Sequence, residues 1–220
     1  MRAEKVDKIA TAVVLSLAGL VGLLIISFLA YLLAVGLPNV SWHFLFSPAE
    51  SFKSGGGIRD QLFNSLYLVV LTMLVSVPLA LCAAIYLSEY APQNRLTATL
   101  RLAIEVLSSL PSVVIGLFGY LVFVLQFGLD FSLLAGALAL TILNLPLLTR
   151  SCEDALQQVP QLQRQAGLGL GMSKWRVTTK IVLPAALSGI ITGAILSAGR
   201  IFGEAAALIY TAGQSSPGIS

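Results

Sequence analysis

The run Arg150-Ser151-Cys152-Glu153-Asp154-Ala155-Leu156-Gln157-Gln158-Val159-Pro160-Gln161-Leu162-Gln163-Arg164-Gln165-Ala166-Gly167-Leu168-Gly169-Leu170-Gly171-Met172-Ser173-Lys174-Trp175-Arg176-Val177-Thr178-Thr179-Lys180-Ile181-Val182-Leu183-Pro184 is the longest polar interruption in an otherwise apolar chain. Pro160 has no N–H to lose, so it can open a helix. Residues 161–170 then read as a short helix, with Leu162, Ala166 and Leu170 spaced by four along one side. Gly171 can end it, because glycine takes the left-handed conformation without steric cost. Ser173 can cap a second short helix that runs through Lys180. Ile181-Val182-Leu183-Pro184 leads into the next apolar segment. The stretch predicts two short helices at a bend, lying against a larger apolar body. Taken alone, it fits a plain amphipathic connector better than a functional element.

The flanks set the class. The chain has 220 residues, 57% hydrophobic and 10% charged, with a mean hydropathy of +0.90. A soluble domain carries about a quarter charged residues, and a disordered one needs low hydrophobicity with high charge. Both classes are excluded. Uncharged runs cover residues 9–36, 61–88 (with Pro78), 106–129, 131–149 (with Asn144 and Pro146) and about 186–212, the last containing Arg200 and Glu204. A membrane helix needs about 20 apolar residues, so five spans are expected in an all-α polytopic protein. The first run exceeds the roughly 7–15 residues of a signal-peptide core and reads as a retained anchor. Gly128-Leu129-Asp130 leaves room only for a tight hairpin between the third and fourth spans.

With the N-terminus placed in the cytoplasm, ten of the 13 basic residues fall inside, Lys53 and Arg59 fall outside, and Arg200 lies within a span. That bias follows the positive-inside rule and sets the expected orientation. Five spans would leave the C-terminus outside, where the polar, turn-rich residues 213–220 read as the start of a loop. The net charge of +3 gives no argument for nucleic acid. The two cysteines, Cys82 and Cys152, form no CxxC pair, and His43 is the sole histidine, so a disulfide framework and a zinc site are both unexpected. His43, among Trp42, Phe44 and Phe46, reads as an interfacial residue, and Trp42 as an interfacial anchor.

Arg200 and Glu204 form the one basic–acidic pair deep inside an expected span. A central charge costs about 2.5–3.5 kcal/mol on an insertion scale, which marks such residues as functional candidates. At about 100° per residue, Gly189, Gly193, Ser197, Arg200, Glu204 and Thr211 fall within roughly 80° of arc on one helix. Such a polar stripe suits a helix lining a protected path. Arg200 offers forked donors to a tetrahedral oxyanion, and Glu204 limits how tightly it is held. The competing reading is an ion pair between the two, or with a neighbouring helix, while the glycines allow close packing. Asn144, beside Pro146, can open a carbonyl to the path or only kink its helix. Arg101 and Glu105, also four apart, read as a surface pair. Ser108, Ser109 and Ser112 either line the path or bond their own backbone.

The spacing Gln165-Ala166-Gly167, three residues, Gly171, nine residues, Ile181-Val182-Leu183-Pro184 resembles the EAA loop of the permease subunits of binding-protein-dependent ABC importers. It departs from that pattern at Gln165, where the family has Glu, and at Gly167, where it has Ala. Leu110-Pro111-Ser112-Val113-Val114-Ile115-Gly116-Leu117 resembles the entry to a core helix of the phosphate permeases in that family. Arg150 to Pro160 resembles their run before the EAA loop, and Arg200-Ile201-Phe202-Gly203-Glu204-Ala205-Ala206-Ala207-Leu208-Ile209-Tyr210-Thr211-Ala212 resembles their Arg-x-x-Gly-Glu segment.

The resemblance implies a MetI-like fold, with an N-terminal helix and outside loop over residues 1–57 and an importer core over 58–220. The EAA-type loop would lie at about 153–184. Its implied function is the membrane subunit of an importer of inorganic phosphate in the cell inner membrane. Gln165, Ala166, Gly167, Gly171, Ile181, Leu183 and Pro184 would couple it to an ATPase, with Ala166, Gly167 and Gly169 allowing close approach. Arg200, Glu204, Ser197, Thr211 and Asn144 would line the substrate pathway. The implied partners are a homologous permease, two ATP-binding subunits and an external phosphate-binding protein. Family members have six spans, so the sixth is expected beyond the end of this sequence. No cofactor is expected, and with no Gly-x-x-x-x-Gly-Lys-Ser/Thr motif the chain is not expected to hydrolyse ATP. Rival readings are a permease for sulfate or molybdate, a truncated subunit that does not transport, and an intramembrane enzyme. The last lacks a base, since His43 lies in the outside loop.

Overall fold

The computed structural model describes residues 2–48 and 56–213, and only the backbone of residues 2–5. Lys53, Gly55 and the tail from residue 214 lie outside the described residues. The chain divides into two compact units, Met1–Arg59 and Asp60–Ser220.

In the first unit, α1 (Arg2–Gly36) leads through a 3-10 turn at Leu37–Asn39 to α2 (Trp42–Phe46). A helix satisfies its backbone groups internally, so an uncharged run of this length can stay helical through a bilayer. Ser41 caps α2 by accepting from the Phe44 N–H at 3.1 Å. Trp42 stacks on Phe46 with ring centroids 5.8 Å apart, and an amphipathic Trp ring is favoured at a membrane interface.

The second unit carries α3 (Arg59–Ile85), which runs on as a π-helical turn to Tyr90, then α4 (Arg95–Ser108) and α5 (Ser112–Gly119), continued as π-helix through Gln126. After these come α6 (Leu133–Gln157), α7 (Gln161–Gly169), α8 (Lys174–Val177), α9 (Leu183–Phe202) and α10 (Ala206–Thr211). No strand occurs among the described residues. Four helical stretches are long and apolar enough to cross a membrane: Val6–Asn39, Arg59–Tyr90, Leu133–Gln157 and Lys174–Phe202. The pair Arg95–Ser108 and Ser112–Gln126, bent by 95°, makes a fifth if it is one span.

Three details differ from the sequence reading. The apolar run at 106–129 is not one straight helix, because Pro111 cannot continue α4 and starts a new axis. The second loop helix is not separate, because α8 passes through the π-helical segment Thr178–Val182 straight into α9. The last apolar run is broken, because α9 stops at Phe202 and α10 begins only at Ala206. The tight hairpin is present, with Gly128 and Asp130 both at positive φ (65° and 51°) and the Leu129 N–H donating to the Phe123 carbonyl.

α6 is the central helix, buried on most of its circumference. In a bilayer the surroundings are as apolar as leucine, so helices associate through close van der Waals packing and small residues. α3 meets this need with Leu68, Thr72, Ser76, Ala80 and Ala84 buried at every fourth position. α9 meets it with Gly189 and Gly193: a Cβ on Gly189 would stand 2.8 Å from that of Ala155, and one on Gly193 would collide with the Ser151 hydroxyl. Two apolar clusters result. One joins Ala80, Ala84, Leu148, Leu156, Val177 and Val182 near the basic loop, and the other joins Ile115, Leu140, Leu143, Ile201 and Ala207 further along the bundle.

Candidate functional site

The turn between α6 and α9 is built as its sequence predicts at the start and at the bend. Pro160 stands directly before α7. Gly171, at φ 78°, donates its N–H to the Leu168 carbonyl, and the Met172 N–H reaches the Gly167 carbonyl at 3.2 Å. That bond pair is a Schellman closure, which needs the left-handed residue glycine supplies. Ser173 accepts from the Arg176 N–H to cap α8. Leu162, Ala166 and Leu170 share the exposed side of α7, together with Gln165. Leu162 and Leu170 are 76% and 83% exposed, and Trp175 adds a third large apolar side chain. Exposed apolar clusters of this kind serve as contact surfaces for proteins or for a membrane.

Gly167, expected in the sequence among the residues that couple to an ATPase, is buried. It does not belong to the outward face: a Cβ there would lie 2.6 Å from Ile181 Cδ1 and 2.9 Å from Val177 Cγ2. Gly167 therefore lets α7 lie close on the start of the last span. Ile181 and Leu183 are half-buried, while Pro184 and Ala166 are exposed. Gly171 is exposed, with open space around it.

Arg164, not singled out in the sequence, points inward beside Gly167. Its guanidinium donates to Glu89 from Nη2 at 2.8 Å and from Nε at 3.1 Å. It also donates to the carbonyls of Leu156, at 2.8 Å, and Val159. Arg101 does not pair with Glu105. It meets Glu153 of α6 at 2.8 Å and donates to the Leu87 carbonyl at 2.9 Å, while Gln157 donates to Glu153 at 3.0 Å. Glu105 instead meets Arg150 at 3.2 Å. Ser108 and Ser109 donate to the carbonyls of Glu105 and Val106, as backbone-bonding serines do.

The residues expected to line a substrate pathway do not share one helical face, because the helix carrying Ser197 and Arg200 ends at Phe202 and Asn144 lies on α6. Arg200 sits on the last turn of α9, partly buried, and makes no hydrogen bond or ion pair among the described residues. Glu204 lies beyond the helix end, so the two no longer share one helical face, and they form no ion pair. Glu204 accepts from the Ala207 N–H at 3.3 Å and so caps α10. Ser197 is buried on α9. Thr211 is buried on α10, its hydroxyl donating to the Ala207 carbonyl. Asn144 is buried on α6 and donates from Nδ2 to the Ser76 hydroxyl at 3.4 Å, while its Oδ1 has no partner among the described residues.

Of these five, Glu204 lines a cavity. That cavity, about 520 Å³, opens at the α9–α10 break and adds Gln61 and Ser65 of α3 to the polar wall. Neither residue stood out in the sequence, although both lie one turn apart at the start of an apolar run. Two adjoining hollows of about 300 and 430 Å³ run between α6 and α9 at the other end. They share Ala155, Gln158, Ser188 and Gly189, and Ser151, Asp154 and Thr192 give the larger one a polar lining.

The described residues thus form a helical membrane bundle with an exposed two-helix turn between its later spans. Residues 76–219 match the family model described as the binding-protein-dependent transport system inner membrane component. The chain is 44% identical over 99% of its length to the probable ABC transporter permease protein YqgI of Bacillus subtilis (strain 168), covering 74% of that protein. It is 34% identical over 82% of its length to the phosphate transport system permease protein PstA of Xylella fastidiosa (strain 9a5c), and 38% identical over 81% to PstA 2 of Mycobacterium tuberculosis (strain CDC 1551 / Oshkosh). It spans 63% and 58% of those two relatives, under two thirds of each. Its fold matches a chain of the MetNI methionine ABC transporter in an inward facing conformation with TM-score 0.56, at 20% identity over 67% of this chain and 68% of that one. The chain belongs to the family of ABC importer permeases with the MetI-like fold, and is a multi-pass membrane protein.

Proposed function

We propose that this chain is a permease subunit of an ATP-driven importer of inorganic phosphate in the cell inner membrane, with its N-terminus in the cytoplasm. The observation that carries this reading is the turn at α7–α8. It is rigidly closed by Gly171, seated by Gly167, and presents Leu162, Ala166, Leu170 and Trp175 outward. That is the surface an ATPase subunit would grip, and a packed element of this kind passes on a rigid-body displacement. The permease would pair with a PstC-like homologue, two PstB-like ATP-binding subunits and a PstS-like external binding protein.

Phosphate as the substrate is supported by the PstA relatives, and by Arg200, a forked donor without an internal partner near the α9–α10 break. Glu204 would line the outer approach with Gln61 and Ser65. Ser197, Asn144 and Thr211 would support the helices around the path. A second reading keeps the importer and changes the anion to sulfate or molybdate, since a guanidinium suits any tetrahedral oxyanion and the 44%-identical relative is named only as a probable ABC transporter permease. Deleting and restoring the gene, with uptake of labelled phosphate, sulfate and molybdate followed in parallel, separates the readings. Selective loss and recovery of phosphate uptake is expected; selective loss of another anion would replace phosphate by it.

A further inference from the structure

Two arginines, Arg164 buried and Arg101 with its side chain 41% exposed, hold the same two elements. Arg164 of α7 and Arg101 of α4 both reach the π-helical turn Tyr86–Tyr90 and the last two turns of α6. The Arg164 and Glu89 side chains are 11% and 7% exposed. Arg164 meets Glu89 with two of its nitrogens and turns its remaining donors to the Leu156 and Val159 carbonyls. Carbonyls at a helix C-terminus lack intrahelical partners and carry its negative dipole end, so an arginine satisfies both needs at once. Arg101 completes the assembly through Glu153 and Leu87, and Lys174 lies 4.9 Å over the Tyr90 ring. A buried ion pair adds little stability over an apolar replacement, because desolvating two charges offsets their attraction. What a forked guanidinium does supply is fixed orientation.

We propose that the Glu89–Arg164 pair is the joint through which a displacement of α7 is passed to α3 and α6, and through Arg101 to α4. This rests on the reading of α7 as the ATPase-docking helix. Arg164 and Glu89 are positioning residues: they act on the elements they join. They make α7, the 86–90 turn and the end of α6 move as one piece. The outward face of α7 is formed by other residues, so docking and transmission separate. The arrangement is also directional. Reversing the charges would turn a carboxylate toward the Leu156 and Val159 carbonyls, so an exchanged pair does not rebuild the joint.

The test uses the complete transporter in proteoliposomes, reading labelled inorganic phosphate taken up per ATP hydrolysed, together with co-purification of the ATPase subunit. Glu89→Gln, which keeps the shape and removes the charge, is expected to retain the ATPase subunit and to lower uptake per ATP by roughly tenfold. Arg164→Lys, which keeps the charge and loses the fork, should act in the same direction. The double exchange Glu89→Arg/Arg164→Glu should not recover. Unchanged uptake per ATP in both single variants, recovery in the exchange, or loss of the ATPase subunit from both single variants would each overturn the joint. Failure of the underlying reading looks different: the unaltered chain would itself fail to retain the ATPase subunit. If the unaltered complex carries another anion, the same ratio is read with that anion.

Discussion

Gly116→Ala should loosen the bundle where α5 meets α10, and the geometry gives the size of the effect. A Cβ at Gly116 would lie 2.7 Å from the Ala207 Cα and 3.1 Å from the Ala207 carbonyl oxygen. Carbon atoms in good contact sit about 3.5–4.0 Å apart, so α10 must retreat by roughly 1 Å. Both obstructing atoms are backbone, and no side chain can rotate aside. Overpacking of this kind costs about 1–3 kcal/mol, against a helix-propensity gain of about 1 kcal/mol for replacing glycine by alanine. The matched comparison is Gly199→Ala on α9, where nothing lies within 4 Å of the added atom and only the propensity gain operates. Thermal unfolding of the two purified variants in the same detergent should place Gly116→Ala below the parent and Gly199→Ala at or above it, a separation of about 1–3 kcal/mol. Phosphate uptake should fall with Gly116→Ala, because Glu204 caps the helix that is displaced. Equal stability of the two variants would refute the close approach of α10 to α5.

Gly171→Arg puts a bulky residue at φ 78°, where L-residues lose about 1–2 kcal/mol; it should abolish co-purification of the ATPase subunit while membrane insertion, read by protease accessibility, is unchanged. Leu170→Glu, on the exposed face of α7, should weaken the same co-purification without lowering the melting temperature. Arg200→Ala should reduce anion uptake with the complex still assembled by size-exclusion chromatography, and unchanged uptake would assign Arg200 a structural role. Glu204→Gln keeps an oxygen that can accept from the Ala207 N–H, so its stability should match the parent, whereas Glu204→Ala should lose about 1 kcal/mol of helix capping. A drop in uptake for both would separate the charge of Glu204 from its capping role.

Apolar runs and turn residues made the fold legible because their physics is local. An uncharged stretch of about 20 residues has few options in a bilayer, and Pro160, Gly171 and Ser173 each act within a few residues of themselves. The breaks at Pro111 and Gly203 carry local signals too, yet hydropathy passes smoothly through both and hides them. Projecting Arg200, Glu204 and Thr211 on one helix failed for that reason: a stripe computed over residues 189–211 assumes an unbroken axis, and the axis ends at Phe202. The ion pairs were illegible for a different reason. Reading Arg101 with Glu105 followed the rule that residues four apart on a helix meet, but each found a nearer partner across the bundle. Arg101 meets Glu153, 52 residues away, and Arg164 meets Glu89, 75 residues away. One sequence holds no information on such pairs beyond the fact that a charge at the end of a span needs an acceptor. What it did hold is the small-residue rhythm of Thr72, Ser76, Ala80 and Ala84, which places α3 against α6 and thereby brings Glu89 within reach of the turn. The packing of small residues inside the bilayer thus decides which charges can meet outside it, and a permease can tie an exposed turn to its spans through residues that no local rule connects.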